Sequence, residues 1–321
     1  MEKETFTFEK GLLEKADRLR KKFCKDEVHL RGIIEFSNHC VRNCVYCGLR
    51  KDNKNITRYR MSEEEIVGLA LEIVERGVKT IVLQSGDDFY YTQKSLCSII
   101  SKIKAMADIA ITLSIGERPL DDYQAFRDSG ADRYLLKHET INPALYRIMH
   151  PGQDLKQRIK ILEYLKKISF QVGSGNIVGL PHQTVKDLAC DVLFLKDLDV
   201  DMAAIGPFIP QKDTPLKNQP AGDLDLCLKV LAMARILTKN AHLPATAALA
   251  SLDKENGQLQ ALKSGANVLM PDFTPENYRK NYRIYDNKVK VSLEKAKDII
   301  SKAKRIVSCS KGDSLKHEKN S

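Results

Sequence analysis

Tryptophan is absent from the 321 residues, and no apolar run reaches the roughly 18 residues that a membrane-spanning helix needs. The first twenty residues, MEKETFTFEKGLLEKADRLR, hold no hydrophobic core of a secretory signal, so the chain is expected to be cytoplasmic. There is no low-complexity linker, no short repeat and no obvious domain break. A disulfide framework is also unsupported. In a reducing compartment the eight cysteines stay as thiols, and five of them (Cys24, Cys97, Cys190, Cys227 and Cys309) are dispersed. Cys97, Cys190 and Cys227 fall in helical patterns and read as structural thiols. The formal charge is +10, yet the basic residues form no stripe interleaved with aromatics. Nucleic-acid binding is therefore not expected, and the basic surface reads as solvated.

What the chain does have is a regular alternation of strand-like and helix-like segments, the pattern of a parallel α/β fold. The strand candidates are 30–36, 80–83, 109–113, 132–136, 170–177, 202–205, 244–247 and 267–270. Between them lie segments of helical period. SEEEIVGLALEIVERG opens on Ser62 with Glu65 closing a capping box, and ends on Gly77. TVKDLACDVLFLKDL opens on Thr184 with Asp187 three residues on. Eight such units predict a complete (β/α)8 TIM-type barrel. The expected organisation is an N-terminal helical extension (1–29), a core (30–243), completing strands and helices (244–308) and a disordered basic tail (309–321). In such barrels function gathers at the C-terminal ends of the strands.

Directly after the first strand comes SNHCVRNCVYCGLR. Cys40, Cys44 and Cys47 have the spacing CxxxCxxC on a loop at a strand end. Three thiolates fill three corners of a 4Fe-4S cubane and leave one iron open to chelate S-adenosylmethionine (SAM). Such a pair generates a 5′-deoxyadenosyl radical on one-electron reduction. The competing assignments are zinc, which prefers four ligands in paired spacing, and three unrelated thiols. His39 adjoins Cys40 too closely to make a comfortable fourth ligand.

The other strand ends supply the remaining candidates. Tyr46 would set a ring beside cluster and adenine. VLQSGDD resembles the small, Gly-containing turn that radical SAM enzymes carry here, which would offer Gln84, Ser85 and Gly86 to the methionine end of SAM, a plain turn being the alternative, and LSIGER offers Ser114. In DRYLLKHET, Arg133, Lys137 and Glu139 alternate with apolar residues and so share one strand face. Charges facing a barrel interior are costly unless paired or ligand-bound. Glu139 is thus a candidate for SAM, and Arg133 and Lys137 for an anion. Arg158 could reach the SAM carboxylate bidentately. Ile177, in NIVGLP, fits a GxIxG pattern similar to the one that lies against adenine in radical SAM barrels, and Ile205, in AAIGPF, would continue that wall. Thr246 and Met270, at later strand ends, join Arg133 and Lys137 as candidates for substrate. Together these residues describe a polar, cationic chamber for a small anionic substrate.

Taken together, IIEFSNHCVRNCVYCGLRKDN, RYRM, TIVLQSGDD, GADRYLLKHET, IVGLP, IGPFIPQKDTPL and GANVLMPDFTP resemble the FeFe-hydrogenase maturase HydE family, from about Leu30 to Tyr285. The resemblance implies a radical SAM enzyme with a 4Fe-4S cluster held by Cys40, Cys44 and Cys47. It further implies SAM bound by Ser114, Glu139 and Arg158, and Arg133 and Lys137 lining an anion-binding region. An organometallic substrate, other hydrogenase maturases and an electron donor such as ferredoxin or flavodoxin follow as expected partners. Some members carry an accessory cluster near the C-terminus, where this chain offers only Cys309. Biotin synthase-like and methylornithine synthase-like enzymes are the alternatives. Biotin synthase needs interior thiolates, and this chain has Gly173 at the corresponding position on the fifth strand. A non-enzymatic iron-sulfur carrier is the alternative of another class, and ionic residues at several strand ends argue against it.

Overall fold

The computed structural model describes residues 2–316, with side chains from residue 11 onward. The described residues hold eleven parallel strand segments, of which all but the last build one closed barrel: β1 (Glu27–Leu30), β2 (Gly32–Ser37), β3 (Thr80–Ser85), β4 (Ala110–Ser114), β5 (Arg133–Leu135), β6 (Gln171–Ser174), β7 (Ile177–Val178), β8 (Met202–Ala203), β9 (Gly206–Pro207), β10 (Val268–Leu269) and β11 (Ile306–Val307), which pairs with β1 alone. Six pair in the order β2-β3-β4-β5-β6-β8. Single bridges carry the circle onward, Met202 to His242 and Pro244 to Val268. β10 then pairs with β1, which runs through Arg31 into β2. Thus β1 with β2 is the first barrel strand, and the seventh is reduced to its two bridges. β7 and β9 prolong the fifth and sixth strands above a break at Gly175, where an added Cβ would lie 1.9 Å from the Ala204 carbonyl oxygen.

The predicted strand at 244–247 is the segment that differs most. Its last residue opens the helix Ala247–Leu252, and the alanine-rich AALASL favours that state. Both predicted caps are present. Ser62 accepts from Glu65 N while the Glu65 carboxylate accepts from Ser62 N, and Thr184 and Asp187 do the same. Gly77 takes φ +80°, a value that suits glycine after a helix end. Outside the strands a continuous apolar core joins sheet and helices, and the helix Glu2–Cys24 lies against the helix Leu224–Thr238.

Two expectations are corrected at the far end of the barrel from the cysteines. Residues 309–316 are not a loose tail but pack beneath the barrel, with Ser314 buried and bonded to Asp201; residues 317–321 lie outside the described residues. Arg133 is fully buried there and binds this segment: its guanidinium donates to Lys311 O (2.9 Å), Gly312 O (2.9 Å) and Asp313 Oδ1 (2.7 Å), and to Gln171 Oε1 (2.9 Å). It shares a strand face with Lys137, as its spacing requires, but four residues at about 3.3 Å each separate the two along the barrel axis. Arg133 is therefore a structural anchor at the barrel floor, not a group that meets substrate.

Candidate functional site

A cavity of about 380 Å³ opens at the C-terminal ends of the strands. That size suits a small-molecule site. Cys40, Cys44 and Cys47 line it, and all three are free thiols. Their loop is held in shape by groups the sequence reading had not singled out. Arg58 donates to Leu49 O (2.9 Å), Arg50 O (2.8 Å) and Asn53 O (3.3 Å), as well as to Asn38 O. Asn38 Nδ2 donates to Thr57 O and Asn281 O, each at 2.8 Å. The turn after β3 presses on the loop from beside it. A Cβ on Gly86 would meet His39 O at 2.3 Å and Cys40 Cβ at 2.7 Å, so only glycine fits.

Burial, with Asp87 adding to it, pushes the Cys40 thiol up to about 12. Burial and the two neighbouring thiols raise Cys47 as well. Burial also raises Cys44, against a hydrogen bond from Gln153 Nε2 to its sulfur at 3.3 Å. Such thiols are protonated at neutral pH and release protons when they take a metal. His150 Nδ1 lies 3.3 Å from Cys44 Sγ, and its Nε2 lies 3.4 Å from the Tyr46 hydroxyl. Tyr146 stacks on its ring at 4.3 Å, and burial holds the imidazole well below its ordinary pKa, hence neutral.

Beside the thiols runs a chain of buried ion pairs. Arg42 binds Asp87 (2.7 Å) and Glu117 (3.1 Å), and Glu117 binds Arg158 (2.8 Å). Arg158 also donates to Lys137 O (3.0 Å) and to Gln153 Oε1 (2.9 Å). Burial opposes its charge, but Tyr146 and Glu117 outweigh that and keep the guanidinium firmly cationic. Three of its five N–H groups are thus engaged, which leaves two for a ligand. Glu139 sits at φ +62°, a strained value for a non-glycine residue, and is pinned by Glu139 N to Gly175 O (2.9 Å) and Ile177 N to Glu139 O (3.0 Å). Its carboxylate pairs with Lys137 at 2.8 Å.

Gln84, Ser85, Gly86, Ser114, Tyr46, Glu139, Arg158, Ile177, Lys137, Thr246 and Met270 all line this cavity, as the sequence had placed them. Ile205 does not. It is buried in the hydrophobic core, while its neighbours Ala204 and Gly206 line the cavity, because successive residues of an extended segment face opposite ways. The expectation of a cationic chamber is also not met. Arg42, Arg158, Lys137 and Lys288 each already hold a carboxylate: Asp87, Glu117, Glu139 and Glu35. Glu35, Asp272, Tyr282, Tyr285 and Lys288 line the wall near β2 and went unnoticed in the sequence. Burial, against Lys288, lifts the Glu35 carboxyl to about 7.

A barrel with three free thiols, a strained carboxylate and a part-engaged arginine at its strand ends has counterparts among known proteins. The model of the radical SAM superfamily matches residues 34–195. The chain is 49% identical to the [FeFe] hydrogenase maturase subunit HydE of Thermotoga maritima, over 88% of this chain and 80% of that one. It is 27% identical to the 3-methylornithine synthase of Methanosarcina acetivorans, over 91% and 81% of the two chains. A crystal structure of methylornithine synthase superposes with a TM-score of 0.83 at 22% identity, over 94% of this chain and 89% of that one, a likeness of fold alone. The chain is thus a radical SAM enzyme. Within that superfamily it belongs to the HydE family.

Its cofactors are accordingly a 4Fe-4S cluster and SAM. The residues present fit both. Among the described residues no three His, Cys, Asp or Glu side chains converge as one metal ion requires. A cubane takes each thiolate on a different iron and needs no such convergence. Adjacent to the thiols, a carboxylate and a guanidinium with free N–H groups suit the ammonium and carboxylate of an amino acid.

Proposed function

We propose that this protein acts in maturation of the FeFe-hydrogenase active site, as a cytoplasmic radical SAM enzyme working on a small substrate with other maturases as partners. The observation that carries the reading is that three free cysteines share one cavity with Glu139 and Arg158, in a chain half identical to a HydE. Bound together and given one electron, the cluster and SAM supply a 5′-deoxyadenosyl radical. Cys40, Cys44 and Cys47 would hold the cluster. Glu139 would accept from the SAM ammonium and Arg158 would donate to its carboxylate. Gln84, Ser85, Gly86 and Ser114 would complete the polar cradle, with Tyr46 and Ile177 against the adenosine. Lys137, Thr246 and Met270 would face the substrate.

Two observations argue against sulfur insertion. No further cysteine lines the cavity among the described residues. The fifth strand carries Gly173, which offers no thiol; a Cβ there would have to push aside the side-chain ends Leu135 Cδ1 and Met202 Cε, each at 2.8 Å. The test is anaerobic reconstitution followed by genetic complementation. The protein should bind about four irons per chain and convert SAM to 5′-deoxyadenosine and methionine under reduction. Its gene should restore active hydrogenase to a host lacking HydE, and a Cys40→Ala version should not. Turnover of lysine without any hydrogenase maturation would replace this reading with that of a methylornithine synthase.

A further inference from the structure

The outer side of the cysteine loop carries a feature that the cavity does not use. Val41, next to Cys40, is 48% exposed, and Phe89 and Tyr90 are 45% and 65% exposed. The three belong to one patch. Val41 N donates to Asp87 O at 3.0 Å, and the turn that continues into Phe89 and Tyr90 packs through Gly86 directly on Cys40. Arginines sit over both rings: Arg118 lies 4.7 Å from the Phe89 ring centre and Arg60 lies 4.4 Å from that of Tyr90. Between Cys40 and Arg60 the chain holds six basic residues against a single acid, Asp52; in the structure Arg42 and Arg60 are paired with Asp87, Glu117 and Asp88, and Arg50 lies near Asp52, which leaves Lys51, Lys54 and Arg58 as the excess positive charge of the loop. Lys51 and Lys54 stand exposed.

We propose that this patch is the docking surface for an acidic one-electron carrier protein. The proposal rests on the radical SAM reading of the cavity. Scattered exposed apolar residues need no explanation, but aromatic residues with arginine at the centre of a positive rim have the composition of a protein interface. The positive rim selects an acidic partner and speeds its encounter. The position suits the chemistry. The carrier loses one electron and the cluster behind Cys40 gains it, with no atom transferred and no group entering the cavity that SAM fills. Val41, Phe89 and Tyr90 do not line the cavity, so a carrier seated on them need not occupy it.

The experiment uses the reconstituted full chain with two probes, a reduced acidic ferredoxin and a reduced acidic flavodoxin. Two double variants are compared with wild type: Phe89→Ala with Tyr90→Ala, and Lys51→Glu with Lys54→Glu. Val185→Ala, an exposed apolar residue on a helix elsewhere, is the control. Direct binding is measured across a salt series, and SAM cleavage is driven either by the carrier or by dithionite. Each double variant should bind one or both carriers at least about tenfold more weakly, and the lysine variant should lose most of the salt dependence. Carrier-driven cleavage should fall in step, while iron content and dithionite-driven cleavage stay within about twofold of wild type. Unchanged carrier affinity in both double variants, or an equal loss in the control, overturns the docking site. Failure of the wild type to cleave SAM even with dithionite would instead overturn the radical SAM reading beneath it.

Discussion

Replacing Arg158 by alanine separates its two connections, one to a ligand and one to the cluster loop. In the structure the guanidinium makes bonds of 2.8, 2.9 and 3.0 Å to Glu117, Gln153 and the Lys137 carbonyl. Its two remaining N–H groups are assigned to the SAM carboxylate. Hydrogen bonds to charged groups contribute about 1.5–3 kcal/mol each, so losing both should weaken SAM binding by about 3–6 kcal/mol, roughly 150-fold or more. The fold should survive. Removing one partner of a buried ion pair costs about 3–5 kcal/mol when the other is left alone. Glu117 is not left alone, because Arg42 still reaches it at 3.1 Å. The loss of stability should therefore be nearer 2 kcal/mol, on the scale of the released hydrogen bonds. Calorimetric titration of the reconstituted protein with SAM measures the first quantity, and denaturant unfolding the second. Iron content must be read alongside, since Arg158 also positions Gln153 against Cys44. SAM affinity within twofold of wild type, with iron intact, would refute the assignment. Loss of iron would show instead that Arg158 acts through Cys44.

Three further outcomes are expected. Gly86→Ala should fold yet retain little iron, because the added methyl meets backbone at 2.3 Å and must displace the Cys40 loop; iron and sulfide analysis after reconstitution checks this. Arg133→Met should lower stability by about 2–3 kcal/mol and expose residues 309–316 to protease, while SAM cleavage stays normal; a selective loss of substrate turnover would return Arg133 to the substrate. Glu35 has a folded pKa of about 7 against an ordinary 4.5, so it costs no stability below pH 4.5 and its full penalty above pH 7. The stability of wild type relative to Glu35→Gln should therefore fall, on the order of 3 kcal/mol, as pH rises through that window. A flat difference across pH 4–8 would show that the carboxyl is not perturbed.

Those features that depend on local chain chemistry were legible in the sequence. The cap at Ser62 and the one at Thr184 each need only residues three positions apart. The cysteine triplet needs only the loop after β2. The cavity positions of Gln84, Ser114, Glu139 and Met270 follow from the rule that strand ends bear function. What was missed depends on contacts across the barrel. The chain Asp87–Arg42–Glu117–Arg158 draws on four separate segments, and no spacing links them. Lys288 meets Glu35 across 253 positions. Alternation correctly gave Arg133 and Lys137 one face, yet a shared face says nothing about depth, and depth decides which of them meets the cavity. Ile205 failed for the converse reason. Its segment was placed correctly, but parity turns its side chain into the core.

The same long spans set the order in which the protein can be built. β1 finds its ladder partners only in β10 and β11, more than 230 residues later in the chain. Arg133 meets Gln171 after 38 residues but waits until 178 to 180 residues further on for the carbonyls and carboxylate that complete its bonds. On the ribosome, therefore, the growing chain has β1 as an open edge and a cation only partly satisfied beneath a half-made barrel, a species prone to misassociation. The cysteine loop, though made early, gains its last supports from this same late region: Gly48 N donates to Ile284 O at 3.0 Å and Asn38 to Asn281 O. Cluster insertion consequently belongs after closure of the barrel, and cells that overproduce the chain faster than it can close should accumulate iron-poor, aggregated protein.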